Sequence, residues 1–167
     1  MKYLLLSFLV FFSALADAQT THIEKGEIVY KGGVEVKGAD QAILFDRIQK
    51  AVPSIFKSKE MPLVSKASLT TNGVLTLASP YTVIKTIRYR FSIKTEKERY
   101  SYVLDSVFLV VKERGGKTTT VSSADLYKGM EESGAVSLQT EAVLNEIDMR
   151  IQRLLALLRR ETGGKTK

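Results

Sequence analysis

The chain has 167 residues, a formal net charge of +7, 44% hydrophobic and 26% charged residues, one histidine and no cysteine. That length suits one domain with a proper core. The missing cysteine excludes a disulfide framework, thiol catalysis, cysteine-ligated zinc and an N-terminally acylated lipoprotein.

Residues 1–18 read as a cleaved secretory signal peptide. Met1-Lys2 is a positive start, 3–12 (YLLLSFLVFF) is apolar apart from one serine, and Ala16-Asp17-Ala18 fits a small-residue cleavage site. The apolar run is too short for a spanning helix. The expected address is therefore the periplasm or the extracellular space. Loss of Lys2 and Asp17 removes one charge of each sign, so +7 survives processing. No block of like charge exceeds two neighbours, and scattered charge of this kind serves solubility before it serves a polyanion site.

Residues 19–26 are polar and expected to be flexible unless something ties them down. A first strand is expected over 27–36, with Gly32-Gly33 marking a bulge or turn inside it. Asp40 is the expected N-cap of a helix starting at Gln41, whose apolar face is Leu44, Phe45, Ile48, Val52, Ile55 and Phe56. Pro53 is expected to kink that helix or to stop it near Ala51. After a connector over 58–62, strands over 63–71 and 74–79 flank Asn72-Gly73, the signature of a tight type I′ hairpin, and Pro80 ends the second of them.

Residues 82–95 give the clearest strand. Ile87, Tyr89, Phe91 and Ile93 alternate with Arg88, Arg90, Ser92 and Lys94, so one face is buried and the other wet. After a turn at Glu96-Lys97-Glu98, 99–111 returns with Tyr100, Tyr102, Leu104, Phe108 and Val110 on the expected buried face. Its far half is apolar on both faces, as in a central strand. Gly115-Gly116 closes this meander and 117–134 reads as loop with at most one helical turn. A second helix is expected over 138–160, striped by Leu144, Ile147, Ile151, Leu154, Leu155 and Leu158 and ended by Gly163, with 162–167 a flexible tail. That stripe is assigned to packing within the chain rather than to a coiled-coil dimer, so a monomer is favoured. The sum is one α+β domain over 27–161: an antiparallel sheet of about five strands with two helices on one face.

The segments GVEVKGADQAILFDRIQKAV (33–52) and IRYRFSIKTEKERYSYVLDSVFLVV (87–111) resemble an exported Bacteroidota domain family of unknown function with a TATA-binding-protein-like fold. The resemblance spans about 26–158. It implies a fold and an exported location, and no activity.

No catalytic or metal-binding constellation is expected. His22 stands alone near the mature N-terminus, without a third group to orient it. Asp105 and Glu35 are the acids placed on strands, and nothing in the pattern makes them converge as a glycosidase pair must. The glycines form no phosphate-cradling motif, and no cofactor is expected. The candidate binding surface is the wet sheet face: Arg88, Arg90, Ser92 and Lys94, with Arg99, Ser101 and Val103 across the hairpin. The expected function is a non-catalytic envelope module whose partner is a protein or glycan. A polyanion-binding domain and a small envelope hydrolase are the alternatives, and nucleic acid is disfavoured as a partner.

Overall fold

The computed structural model describes residues 20–24, 27–58, 62–77, 84–113, 115–133 and 138–164. The expected signal peptide, the strand end at Pro80 and the last three tail residues lie outside them. Strand β1 (Thr20–Glu24) pairs antiparallel with β2 (Glu27–Glu35), so it is β2 that ties down the polar segment expected to be flexible. Helix α1 is Gln41–Ile55, followed by β3 (Leu63–Ser65), β4 (Ser68–Leu77), β5 (Ile84–Glu96), β6 (Arg99–Lys112) and β7 (Thr118–Ser122). Helices α2 (Ser123–Ser133) and α3 (Leu138–Thr162) complete the chain. All described strands form one antiparallel sheet in the order β1-β2-β6-β5-β4-β3, with β7 also paired to β6. The α+β class stands. Among the described residues the sheet has seven strands rather than about five, and there are three helices rather than two.

The core lies between one sheet face and the helices. Leu44, Ile48 and Val52 of α1 and Ile147, Ile151 and Leu158 of α3 pack with Ile87, Phe91, Ile93, Tyr100 and Leu104 of the two longest strands. Phe56 stacks on Phe91 with ring centroids 4.1 Å apart. The α3 stripe is spent inside the chain, as expected.

Several sequence expectations give way to identifiable physics. Asp40 occupies the N-cap with extended backbone angles, yet its side chain makes no capping bond; its carbonyl accepts from Leu44 N at 2.9 Å. Pro53 does not stop α1. It forgoes one bond, to Gln49, in the last turn. Buried Val52 and Phe56 hold that turn in place, and Phe56 N donates to Val52 O at 2.9 Å.

Asn72-Gly73 is not a turn. Strand β4 runs straight through it in register with β5, and the hairpin turns instead at Lys66-Ala67. Gly73 sits directly opposite Tyr89, whose ring fills the space a Cβ would occupy. Gly32 stands in the same relation to Tyr102, and β2 passes through Gly32-Gly33 without a bulge. A strand glycine here marks close approach of an aromatic ring rather than a change of direction.

Within the segment 117–134, expected to be loop, residues 118–133 form β7 and α2. Ser122 and Asp125 make a capping pair: Asp125 N donates to Ser122 Oγ at 3.0 Å, and the Ser122 hydroxyl donates to the Asp125 carboxylate at 2.7 Å. Buried Ser123 Oγ accepts from Ile28 N at 3.1 Å, which fixes the helix start to β2. The C-terminus of α3 is ordered past Arg160. Thr162 is buried and donates to Leu158 O at 2.9 Å. Gly163, at φ +80, and Gly164 then close a Schellman motif through bonds to Arg160 O and Arg159 O.

Candidate functional site

The described helices all pack on one sheet face, and the central strands turn their polar residues to the other. Strand alternation puts the odd residues of β5 (Ile87, Tyr89, Phe91, Ile93) in the core at 0–2% exposure and turns Arg88, Arg90, Ser92 and Lys94 outward. The register then brings the predicted set together. Lys94 faces Ser101, Ser92 faces Val103, and Arg99 faces Glu96 across the hairpin. All seven predicted site residues therefore share one surface.

Their electrostatics differ from a simple basic patch. Arg90 grips Asp105 through both ends of the guanidinium, Nε–Oδ1 at 2.8 Å and Nη2–Oδ2 at 2.9 Å. The hydrogen bond, and then the charge, of Asp105 raise the Arg90 pKa above its ordinary value. Lys94 lies 3.5 Å from Glu96, and Arg99 3.9 Å from the same carboxylate. These pairs are exposed and stabilise by about 1 kcal/mol or less each, but they halve the charge a polyanion would meet. Arg88 makes no ion pair among the described residues.

Sequence reasoning missed one member of this surface. Phe108 was assigned to the buried face with Tyr100 and Leu104, yet it is 39% exposed on the outer face, directly opposite Arg88. The cause is a β-bulge. The β5–β6 register shifts between Arg88 and Arg90, and Ser106 takes φ +53, the left-handed region that non-glycine residues rarely adopt. The extra residue flips the parity of β6, so Val107 and Leu109 enter the core and Phe108 leaves it. The expectation for Val110 is also corrected. It is buried, but on the outer parity beside Thr86 and Thr120. The only sequence signal was the polar pair Asp105-Ser106 inside an apolar run. Across the central strands the outer face thus reads Val74, Arg88, Phe108 in one row, Asn72, Arg90, Asp105 in the next, and Thr70, Ser92, Val103 in a third.

Asp105 and Glu35 do not converge. Glu35 faces Arg99, six residues along β6 from Asp105, a separation of about 20 Å along the strand. Paired glycosidase carboxylates stand about 5–9.5 Å apart. No group of three or more His, Asp or Glu side chains is placed to hold a metal among the described residues. His22 lies in β1. A shallow groove between α1 and α3, lined in part by Arg47, Lys50, Ser54 and Arg160, has its cations engaged. Lys50 bonds Asp46, Arg160 bonds Glu161, and Arg47 donates to Thr162 O.

The titratable groups with large shifts are core tyrosines. Burial, then the charge of Asp148 and a hydrogen bond to it, raises Tyr30 far above the usual phenol range. Burial alone does the same to Tyr89, and burial pushes Tyr100 up to about 12. These are structural groups on the covered face.

One sheet with helices on a single side and a bare opposite face is the TATA-binding-protein-like architecture. The chain shares it with two solved structures. A TBP-like protein from Parabacteroides distasonis ATCC 8503 superposes with a TM-score of 0.70 at 15% identity, over 87% of this chain and 99% of that one. A DUF4468 family protein from Bacteroides ovatus ATCC 8483 gives 0.61 at 11% identity, over 87% and 91%. At these identities the likeness is one of fold. No family model matches the chain, and no curated protein matches it. No helix among the described residues is long and apolar enough to cross a membrane.

Proposed function

We propose that the protein is an exported, non-catalytic binding or accessory module of the bacterial cell envelope, and that the bare sheet face contacts a protein or other envelope component. The observation that carries this reading is the row Val74, Arg88, Phe108. It sets a guanidinium without an ion pair among the described residues beside a partly exposed aromatic ring, on the sheet face opposite the described helices. Arginine and aromatic residues dominate the energetics of protein contact surfaces. The Arg90–Asp105 fork beside that row gives it fixed polar geometry. Export rests on the amino-terminal pattern of residues 1–18.

Ion pairing at Arg90, Lys94 and Arg99 favours a protein partner over a polyanion, because three of the four cations of the candidate set already have carboxylate neighbours. The separation of Asp105 from Glu35 likewise counts against the envelope-hydrolase alternative.

Capture from envelope extract tests the reading, with the native protein and an Arg88→Glu/Phe108→Ser variant immobilised in parallel. Both side chains point to solvent, so the variant should keep its denaturation midpoint. It is expected to lose species that the native protein captures. Identical captured sets would overturn the proposal. Capture that collapses with modest added salt would transfer it to the polyanion class.

A further inference from the structure

Arg47, Lys50, Ala51, Ser54 and Ile55 recur at three- and four-residue steps, so they form one stripe along α1. Leu157, Arg160 and Glu161 form the facing stripe of α3, and the two stripes line a groove of about 540 Å³. That volume lies in the range of small-molecule sites, about 300–1,000 Å³. The groove has two unlike ends. Arg47 reaches Thr162 O, so the last turn of α3 lies beside the first part of the α1 stripe. From there the lining runs forward on α1 to Ile55 and back on α3 to Leu157. Arg47, Lys50 and Arg160 therefore cluster toward one end, and half-buried Ala51, Ile55 and Leu157 floor the way to the other. Arg47 and Ile55 stand about 12 Å apart along the helix axis. The cationic end has one charge to spare. Lys50 pairs with Asp46, and Arg160 with Glu161. Arg47 makes no ion pair among the described residues. It donates one N–H to Thr162 O at 3.3 Å, which leaves guanidinium donors for a ligand. The nearby carbonyls of α3 are taken up, Arg159 O by Gly164 N, Arg160 O by Gly163 N and Thr162 O by Arg47, which lowers their repulsion of an anion.

We propose that this groove binds a free aliphatic carboxylate, with its head on Arg47 and its chain along Ala51, Ile55 and Leu157. Charge selects the head. One uncompensated guanidinium matches a monoanion, and a carboxylate can take two parallel bonds from its fork. The floor selects the body, because a small inorganic anion would leave that apolar stretch in water. The exposed pairs at Lys50 and Arg160 are weak enough to reorient toward the bound head. The groove is open to solvent along one side, so binding is weak, with a Kd on the order of 0.1 mM. The site belongs to the helices and does not rest on the sheet-face reading.

Amide chemical-shift titration of the isotope-labelled protein with octanoate tests the assignment. Octanoate should saturate, with its shifts confined to 47–55 and 157–161. Acetate supplies the head alone and octanol the body alone, and each should bind at least about tenfold more weakly. Arg47→Gln should weaken octanoate by about tenfold or more, because the variant keeps a donor and loses the charge. Ser54 is exposed, so Ser54→Phe should keep the denaturation midpoint while its ring fills the apolar end and blocks octanoate. Octanoate that shifts neither segment overturns the proposal. So does acetate that binds as well as octanoate, or an octanoate affinity indifferent to both variants. Shifts at the groove with phosphatidylglycerol vesicles and none with octanoate would assign it to a lipid surface instead and equally overturn the proposal.

Discussion

The two faces of β5 teach opposite lessons from one strand. Ile87, Tyr89, Phe91 and Ile93 lie at 0–2% exposure beneath the helices, while Arg88, Arg90 and Lys94 are exposed on the bare side. Neighbours in sequence, about 3.3 Å apart along the strand, therefore belong to different problems. One set holds the fold together and tolerates little change. The other is exposed, and its substitution should leave the fold alone.

The sharpest way to break that contrast is Phe91→Ala. Its ring is fully buried and stacked on Phe56, so its removal should cost about 3–5 kcal/mol, read as a lower denaturant midpoint. Arg88→Ala, one strand neighbourhood away, should move the midpoint by no more than about 0.5 kcal/mol. Equal losses would erase the distinction between the faces.

Alkaline titration probes the covered face next. Burial holds the Tyr100 phenol protonated up to about 12, and Tyr30 and Tyr89 shift in the same direction. Above pH 10 the unfolded chain releases these protons while the folded chain keeps them. Stability is therefore fully present below pH 10 and falls as pH rises, by about 1.4 kcal/mol per unit for each such tyrosine. Urea midpoints between pH 9 and about 11 check this. A flat profile would mean that the tyrosines are not shielded by the helices.

A glycine pair gives a smaller, cleaner comparison. Gly73→Ala drives a Cβ into the Tyr89 ring and should cost about 1–3 kcal/mol. Gly115→Ala meets nothing within 4 Å and should be near neutral by the same thermal melt. Smallest of all, Asp105→Asn on the bare face should cost about 1 kcal/mol or less, because the Arg90 fork is exposed.

These comparisons also explain what could be read from the sequence. Period-two alternation in 87–94 and the three- and four-residue stripe of α3 placed the covered face correctly, because burial on one side imposes those periods directly. From that alone the seven outward residues of the candidate surface followed. Local signals with two physical meanings misled. Asn72-Gly73 is a turn signature by propensity, but Gly73 is there to let Tyr89 cross it, and only the cross-strand partner reveals that. Phe108 was lost to the buried set because a bulge at Ser106 changes parity without changing hydrophobicity. In 117–134 polar composition hid the β-branched run of β7 and the Ser122–Asp125 cap of α2.

The central claim is that the helix-free face is where a partner docks. A photo-crosslinking residue placed at Phe108, on that face, or at Met149, 62% exposed on α3, tests it in cells that express the protein. Crosslinked adducts from position 108 and none from position 149 are the expected result. Adducts from position 149 with position 108 silent would contradict the account.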